Sequence, residues 1–112
     1  MDTMGGLNRM IAYIEAHLDE ALDNAALARV AGCYQWHLQR MFPFIAGIPL
    51  SEYIRRRRLT AAAFALQRGE DKVIDLAAKY GYASPTAFNR AFQAVHGISP
   101  SAARRQGSAP KA

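Results

Sequence analysis

The chain repeats itself. Leu27-Ala28, Ala31-Gly32, Leu38, Arg40, Phe42 and Gly47-Ile48 recur as Leu76-Ala77, Tyr80-Gly81, Phe88, Arg90, Phe92 and Gly97-Ile98. The offset is 49 residues up to the glycine (27 to 76, 32 to 81) and 50 beyond it (38 to 88, 48 to 98). One residue added to the second turn accounts for the step, because turns accept insertions that packed helices refuse. Apolar residues at helical spacing on both sides of a glycine turn, written twice, read as two helix-turn-helix units.

At 112 residues with 51% hydrophobic content, the chain is long enough for a packed core in one domain or two very small ones. Lysine and arginine outnumber the acids 14 to 9, a net charge of +5 that favours polyanions once the basic residues share a face. The single cysteine, Cys33, excludes an internal disulfide and fits a reducing compartment. MDTMGG is not a basic-then-apolar leader, and no run approaches the roughly 18 apolar residues of a membrane span. The expected location is cytoplasmic.

Leu7, Met10, Ile11, Ile14 and Leu18 predict a first amphipathic helix from about Leu7 to Leu18. Asp23 offers an acceptor to the orphan amides of a second helix, which Leu27, Val30 and Ala31 seat and Gly32 ends. A third helix follows from about Gln35, with Leu38, Met41, Phe42 and Ile45 inward. Pro43 is expected to kink or shorten it after Phe42, since proline removes one backbone bond. Gly47-Ile48-Pro49 stops it and starts a long helix, Leu50 to about Arg68, with Tyr53, Ile54, Leu59, Ala62 and Leu66 inward and Gly69 at its end. Asp71 is the expected cap of a short helix packed through Ile74, Leu76 and Ala77 and closed by Gly81. Ser84-Pro85 opens a helix reaching about His96, and Ser99-Pro100 repeats that signal.

No segment alternates as a strand does, so the expected fold is all-α. Its parts are a first helix-turn-helix subdomain (1–49), a connecting helix (50–69), a second such subdomain (70–106) and a disordered tail (107–112).

With those inward residues, the opposite side of the third helix presents Trp36, Gln39, Arg40 and Pro43. The helix after Ser84, seated by Phe88, Phe92 and Val95, presents Thr86, Asn89, Arg90 and Gln93. The two sets coincide under the shift of 50: 36 with 86, 39 with 89, 40 with 90. Each joins a side-chain amide to an arginine. Arginine can donate two bonds to guanine, and Gln or Asn can both donate to and accept from adenine, so the pattern suits the major groove of DNA. Trp36 suits a thymine methyl or a sugar. Arg55-Arg56-Arg57-Arg58 point nearly all round a helix, so only one or two can reach phosphate, Arg55 and Arg56 being the candidates. Lys79, Arg29 and Lys72 are similar, and Gln35, Ser84 and Gln93 are assigned to phosphate beside the reading residues.

Other chemistries find little support. Cys33 and His37 are four apart but Cys33 sits at the turn, and two ligands make no metal site. There is no phosphate-cradling glycine loop, nucleophile elbow or paired carboxylate between apolar runs, so neither enzyme activity nor a cofactor is expected.

LARVAGCYQWHLQRMF, IPLSEYIRRRRLTAAAFAL, VIDLAAKYGYASPTAFNRAF and HGISP resemble the AraC/XylS DNA-binding domain over about Leu7 to Arg105. The resemblance is nearest to its MarA, SoxS and Rob subgroup, including Rob-like regulators with a GyrI-like effector-binding domain. It implies seven helices, with two helix-turn-helix units joined by the long helix. It also implies transcriptional regulation, often activation with RNA polymerase. By the same carry-over Trp36, Gln39 and Arg40 read bases in one groove segment, and Arg90 with Thr86 and Asn89 occupies the second reading position. The family's two reading helices enter successive groove segments about 34 Å apart, so one chain suffices without a dimer. Tyr34 stands where the family often has a capping serine, leaving the third helix without that oxygen acceptor. The chain stops at RRQGSAPKA where the nearest-looking relatives continue, so a C-terminal effector-binding domain is expected to be missing. Two alternatives stand beside the DNA reader: a helical protein-protein adaptor, and the reading fragment of a larger ligand-sensing regulator.

Overall fold

The computed structural model describes residues 3–69 and 71–108. Among these residues seven helices follow one another: α1 (Thr3–Ala16), α2 (Asn24–Ala31), α3 (Gln35–Ala46), α4 (Leu50–Arg68), α5 (Val73–Lys79), α6 (Pro85–His96) and α7 (Pro100–Ser108). Among the described residues there is no strand. The all-α expectation with seven helices holds. The chain divides into two compact units, Met1–Arg55 and Arg56–Ala112, with the division falling inside α4.

In the first unit α1 packs on α2, and α2 on α3. Leu7, Met10 and Ile14, spaced three and four apart, are buried, as are Leu27, Ala28 and Ala31 of α2 and Leu38 and Phe42 of α3. Leu50 and Ile54, from the start of α4, complete this core. The first helix begins earlier than expected, at Thr3 instead of Leu7, and passes through Gly5 and Gly6. Glycine is a poor helix former, but a Cβ built on Gly6 would lie 2.2 Å from the carbonyl oxygen of Ala31 in α2. Gly6 is there so that two backbones can touch. The helix also ends earlier, at Ala16, although Leu18 remains buried beyond it.

The second unit repeats the scheme with α5 on α6 and α6 on α7. Leu59, Ala62, Ala65 and Leu66 of α4, Leu76, Ala77 and Tyr80, Phe88 and Phe92, and Ala103 are buried. His96 contacts the Leu59 carbonyl through Nε2 at 3.0 Å, tying the end of α6 to α4.

Both turns close alike. After α2, Gly32 N–H donates to Arg29 and Cys33 N–H to Ala28; after α5, Gly81 N–H donates to Ala78 and Tyr82 N–H to Ala77. These paired bonds are a Schellman motif, which needs a left-handed residue, and Gly32 and Gly81 have φ of 76° and 85°. The residue added to the second copy comes after this motif: the N-cap of α3 is Tyr34, two past its glycine, and that of α6 is Ser84, three past.

Several expectations need correction. Helix α3 does not stop after Phe42 but runs through Pro43 to Ala46. Proline forfeits the bond its nitrogen would give the Gln39 carbonyl, yet Gly47 N–H still donates to Pro43 at 2.8 Å, so the last turn closes. Ile45 has the inward phase but is 49% exposed, since it lies a turn beyond Phe42, where the core has ended. Asp71 does not cap α5. The helix starts one residue later than that role needs, and its N-cap is Lys72, without a side-chain bond. Ile74 is exposed as well: Leu76, Ala77 and Tyr80 define the buried face, and half-buried Val73, not Ile74, shares it. The backbone of Gly107 and Ser108, assigned to a disordered tail, continues α7; residues 109–112 of that tail lie outside the described residues.

Candidate nucleic-acid interface

Helices α3 and α6 are each seated by two buried residues four apart, Leu38 and Phe42 in α3 and Phe88 and Phe92 in α6. That seating fixes what the opposite side shows. On α3, Gln35, Trp36, Gln39 and Arg40 are exposed, and Trp36 meets the His37 ring edge-on at 5.6 Å between centroids. On α6, Thr86, Arg90 and Gln93 are exposed and Asn89 is half-buried. The amide-arginine pairs Gln39-Arg40 and Asn89-Arg90 therefore emerge at one phase on two separate helices. Pro43 and Val95, given opposite roles by the sequence, are both half-buried.

The two helices begin differently. Ser84 Oγ accepts from Ala87 N–H at 3.1 Å, and Pro85 follows at the first helical position, where a proline costs nothing. Tyr34 has the extended backbone of an N-cap, φ −73° and ψ 148°, but makes no side-chain cap bond. Ser84 thus serves its own helix with its oxygen while its hydroxyl proton can still be donated. Gln93 Nε2 donates to Asn89 Oδ1, one turn back, so two residues given separate duties on DNA hold one another.

The basic residues sort by what they touch. Arg55 lies against Glu52, with Nε to Oε2 at 3.0 Å and Nη2 to Oε1 at 2.7 Å, a two-bonded pair that competes with any phosphate. Arg56 is exposed, whereas Arg55, Arg57 and Arg58 are half-buried. Lys79 is exposed with its ammonium 5.7 Å from the Tyr80 ring centroid; Lys72 and Arg29 are exposed too. Arg29, Gly32, Cys33, Tyr34, Trp36 and His37 line an open cleft of about 530 Å³ at the first turn, setting Arg29 beside Trp36.

No three His, Cys, Asp or Glu side chains cluster as metal ligands among the described residues. Of the three histidines, His17 donates through Nδ1 to the Tyr13 carbonyl at 2.7 Å and His96 bonds to Leu59, so both serve the fold. Among the described residues no helix is long and apolar enough to cross a membrane.

Sequence reasoning missed one prominent side chain. Phe44, in the last turn of α3, is 91% exposed, and it shares a cleft of about 330 Å³ with Trp36, His37, Arg40 and Met41. Its phase was the available signal, since 44 follows 36 and 40 at intervals of four.

A family model described as a helix-turn-helix domain matches residues 27–106, a span that takes in both glycine turns and helices α3 and α6. The chain belongs to the AraC-type helix-turn-helix family. The HTH-type transcriptional activator AarP of Providencia stuartii is 44% identical over 95 residues, covering 85% of this chain and 70% of that protein. The right origin-binding protein of Escherichia coli K12 is 37% identical over 105 residues, 94% of this chain but only 36% of its own length. The chain thus spans little more than a third of that AraC-type relative. Among solved structures, the DNA-binding domain of the global transcriptional factor AdpA, in complex with a target DNA, superposes with a TM-score of 0.79 at 27% identity, covering 90% of this chain and 91% of that one. AarP and the right origin-binding protein agree with the MarA, SoxS and Rob subgroup that the sequence motifs resemble.

Proposed function

We propose that this AraC-type chain is a DNA-binding transcription regulator that reads a specific duplex site with α3 and α6 in successive major-groove segments. The observation that carries the reading is the matched phase of Gln39-Arg40 and Asn89-Arg90, three of them exposed and Asn89 half-buried, on two helices seated by equivalent apolar pairs. An arginine beside an amide offers both bidentate chemistries of the groove, to guanine and to adenine. Trp36 and Thr86 add apolar contact at the same position of each helix. Gln35, Ser84, Gln93, Lys79 and above all Arg56 hold the phosphates, while Arg55 divides its time between phosphate and Glu52.

One chain carries both readers, so it binds as a monomer, and its action is non-enzymatic. Activation through RNA polymerase, in the cytoplasm where the chromosome lies, is the regulatory outcome we infer from the kinship with AarP. An effector-binding domain beyond this segment, as expected of Rob-like regulators, is part of the same proposal.

Selection of bound duplexes from a randomised pool at near-physiological salt tests the reading. An asymmetric motif with two blocks about one helical turn apart is the expected result. Folded protein that enriches no sequence, and binds DNA only weakly, would move the function to a protein-protein adaptor.

A further inference from the structure

We propose that Phe44 is a fourth specificity residue of α3, reading the 5-methyl group of a thymine about two base pairs from the base held by Arg40. The inference rests on the DNA-reading role of α3. Burying a phenylalanine is worth about 1.5–3 kcal/mol, yet the fold leaves this one 91% exposed. Trp36, Arg40 and Phe44 recur every four residues and so lie within a sector of about 80° on the helix. They line one cleft, with His37 and Met41, into which no acid projects.

Arg40 and Phe44 are one turn apart, a rise of about 6 Å, which is close to two steps of about 3.4 Å along the duplex. Thymine displays a methyl group beside a carbonyl acceptor in the major groove, so an apolar ring next to an arginine meets both features. Two of the residues lining the cleft, Trp36 and Arg40, are reading residues, and that continuity favours the duplex over a protein partner as its occupant. Pro43 fits the same picture. The helix could have ended after Phe42, but its extra turn carries Phe44 outward beside Arg40.

The test uses the duplex selected by the unaltered chain, in which thymines of the α3 block are replaced one at a time by deoxyuridine, removing the methyl alone. Arg40→Ala first identifies the base that Arg40 reads. At one thymine about two pairs away, uracil should weaken binding by the unaltered chain roughly fourfold, the worth of one buried methyl. Phe44→Ala should weaken the thymine duplex by a similar factor and no longer distinguish uracil. A side chain so exposed can be truncated without loss of fold, which far-UV circular dichroism checks. Equal affinity of the unaltered chain for uracil and thymine throughout the block overturns the proposal, as does a Phe44→Ala variant that still discriminates. Unchanged DNA affinity of that variant with lost reporter activation would reassign Phe44 to a protein contact. Failure of the unaltered chain to select any sequence would instead bring down the DNA-reading role itself.

Discussion

Helices α3 and α6 occupy equivalent places in the two copies and have equal lengths of 12 residues, but they are secured by different means. Helix α6 begins with a serine cap and a proline, and its outward amides are tied together by the Asn89-Gln93 bond. Helix α3 has neither a cap bond nor such a tie, contains Pro43, and leaves Trp36, Phe44 and Ile45 exposed. What remains common is the pair of buried apolar residues and the Schellman turn before them. The two copies show that seating by packing and entry by a fixed turn are sufficient to aim a helix, while its caps and surface are free to diverge. Helix α6 is preorganised locally; α3 depends on what lies beneath it.

The largest test removes that seating. Phe42→Ala and Phe92→Ala should each cost about 3–5 kcal/mol in denaturant unfolding, because the residues are nearly or wholly buried. Hydrogen exchange should show protection falling in the unit that holds each one. Loss spread equally over both units by either change would break the two-unit comparison.

Next comes the chemistry of the faces. Arg40→Ala and Arg90→Ala should each lose about 1–3 kcal/mol on the selected site and relax preference at different base pairs. Equal losses on random DNA would contradict base reading. The helix entries are worth less: Ser84→Ala should destabilise by about 1 kcal/mol, whereas Tyr34→Ser should stabilise by a few tenths to about 1 kcal/mol by supplying the missing acceptor. If thermal unfolding shows no gain from serine at 34, the difference between the entries is one of appearance. The smallest effect concerns phosphate. Arg56→Ala should weaken all sequences alike and lower the salt slope by about 1, and Arg55→Ala should do less, because Glu52 already holds it. A site-selective loss at either residue would sink the phosphate assignment.

Much of the fold is legible because its boundaries are written in residues with one physical use. Asp23, whose side chain accepts from Ala25 at 3.3 Å, and Ser84 cap as their types suggest, and Gly32 and Gly69 adopt the left-handed conformation that ends α2 and α4. The long helix spans Leu50–Arg68, as the absence of breakers between those residues implies. Readings failed where a neighbour in space decided the outcome. Gly5-Gly6 looks like the absence of a helix until Ala31 is placed against Gly6. Ile45 has the right phase but nothing above it, and Asp71 has the right type one residue too early. On the outward faces, the types and phases of Gln39-Arg40 and Asn89-Arg90 could be read directly. The Arg55-Glu52 and Asn89-Gln93 partnerships could not, since spacings of three and four permit such bonds without requiring them.

Gly6 leads somewhere else again. It is remote in sequence from both α3 and α6, yet the Ala31 oxygen bars any side chain there, and Ala31 directly precedes the turn that launches α3. In a saturation screen scored by reporter output, nearly every substitution at Gly6 would register as a regulator that has lost its operator, although the residue is buried in the first unit and has nothing to offer a nucleotide. A genetic map of this protein would therefore place an intolerant position in α1 beside those of the outward faces proposed to read DNA, and only a stability measurement would tell the two kinds of null allele apart.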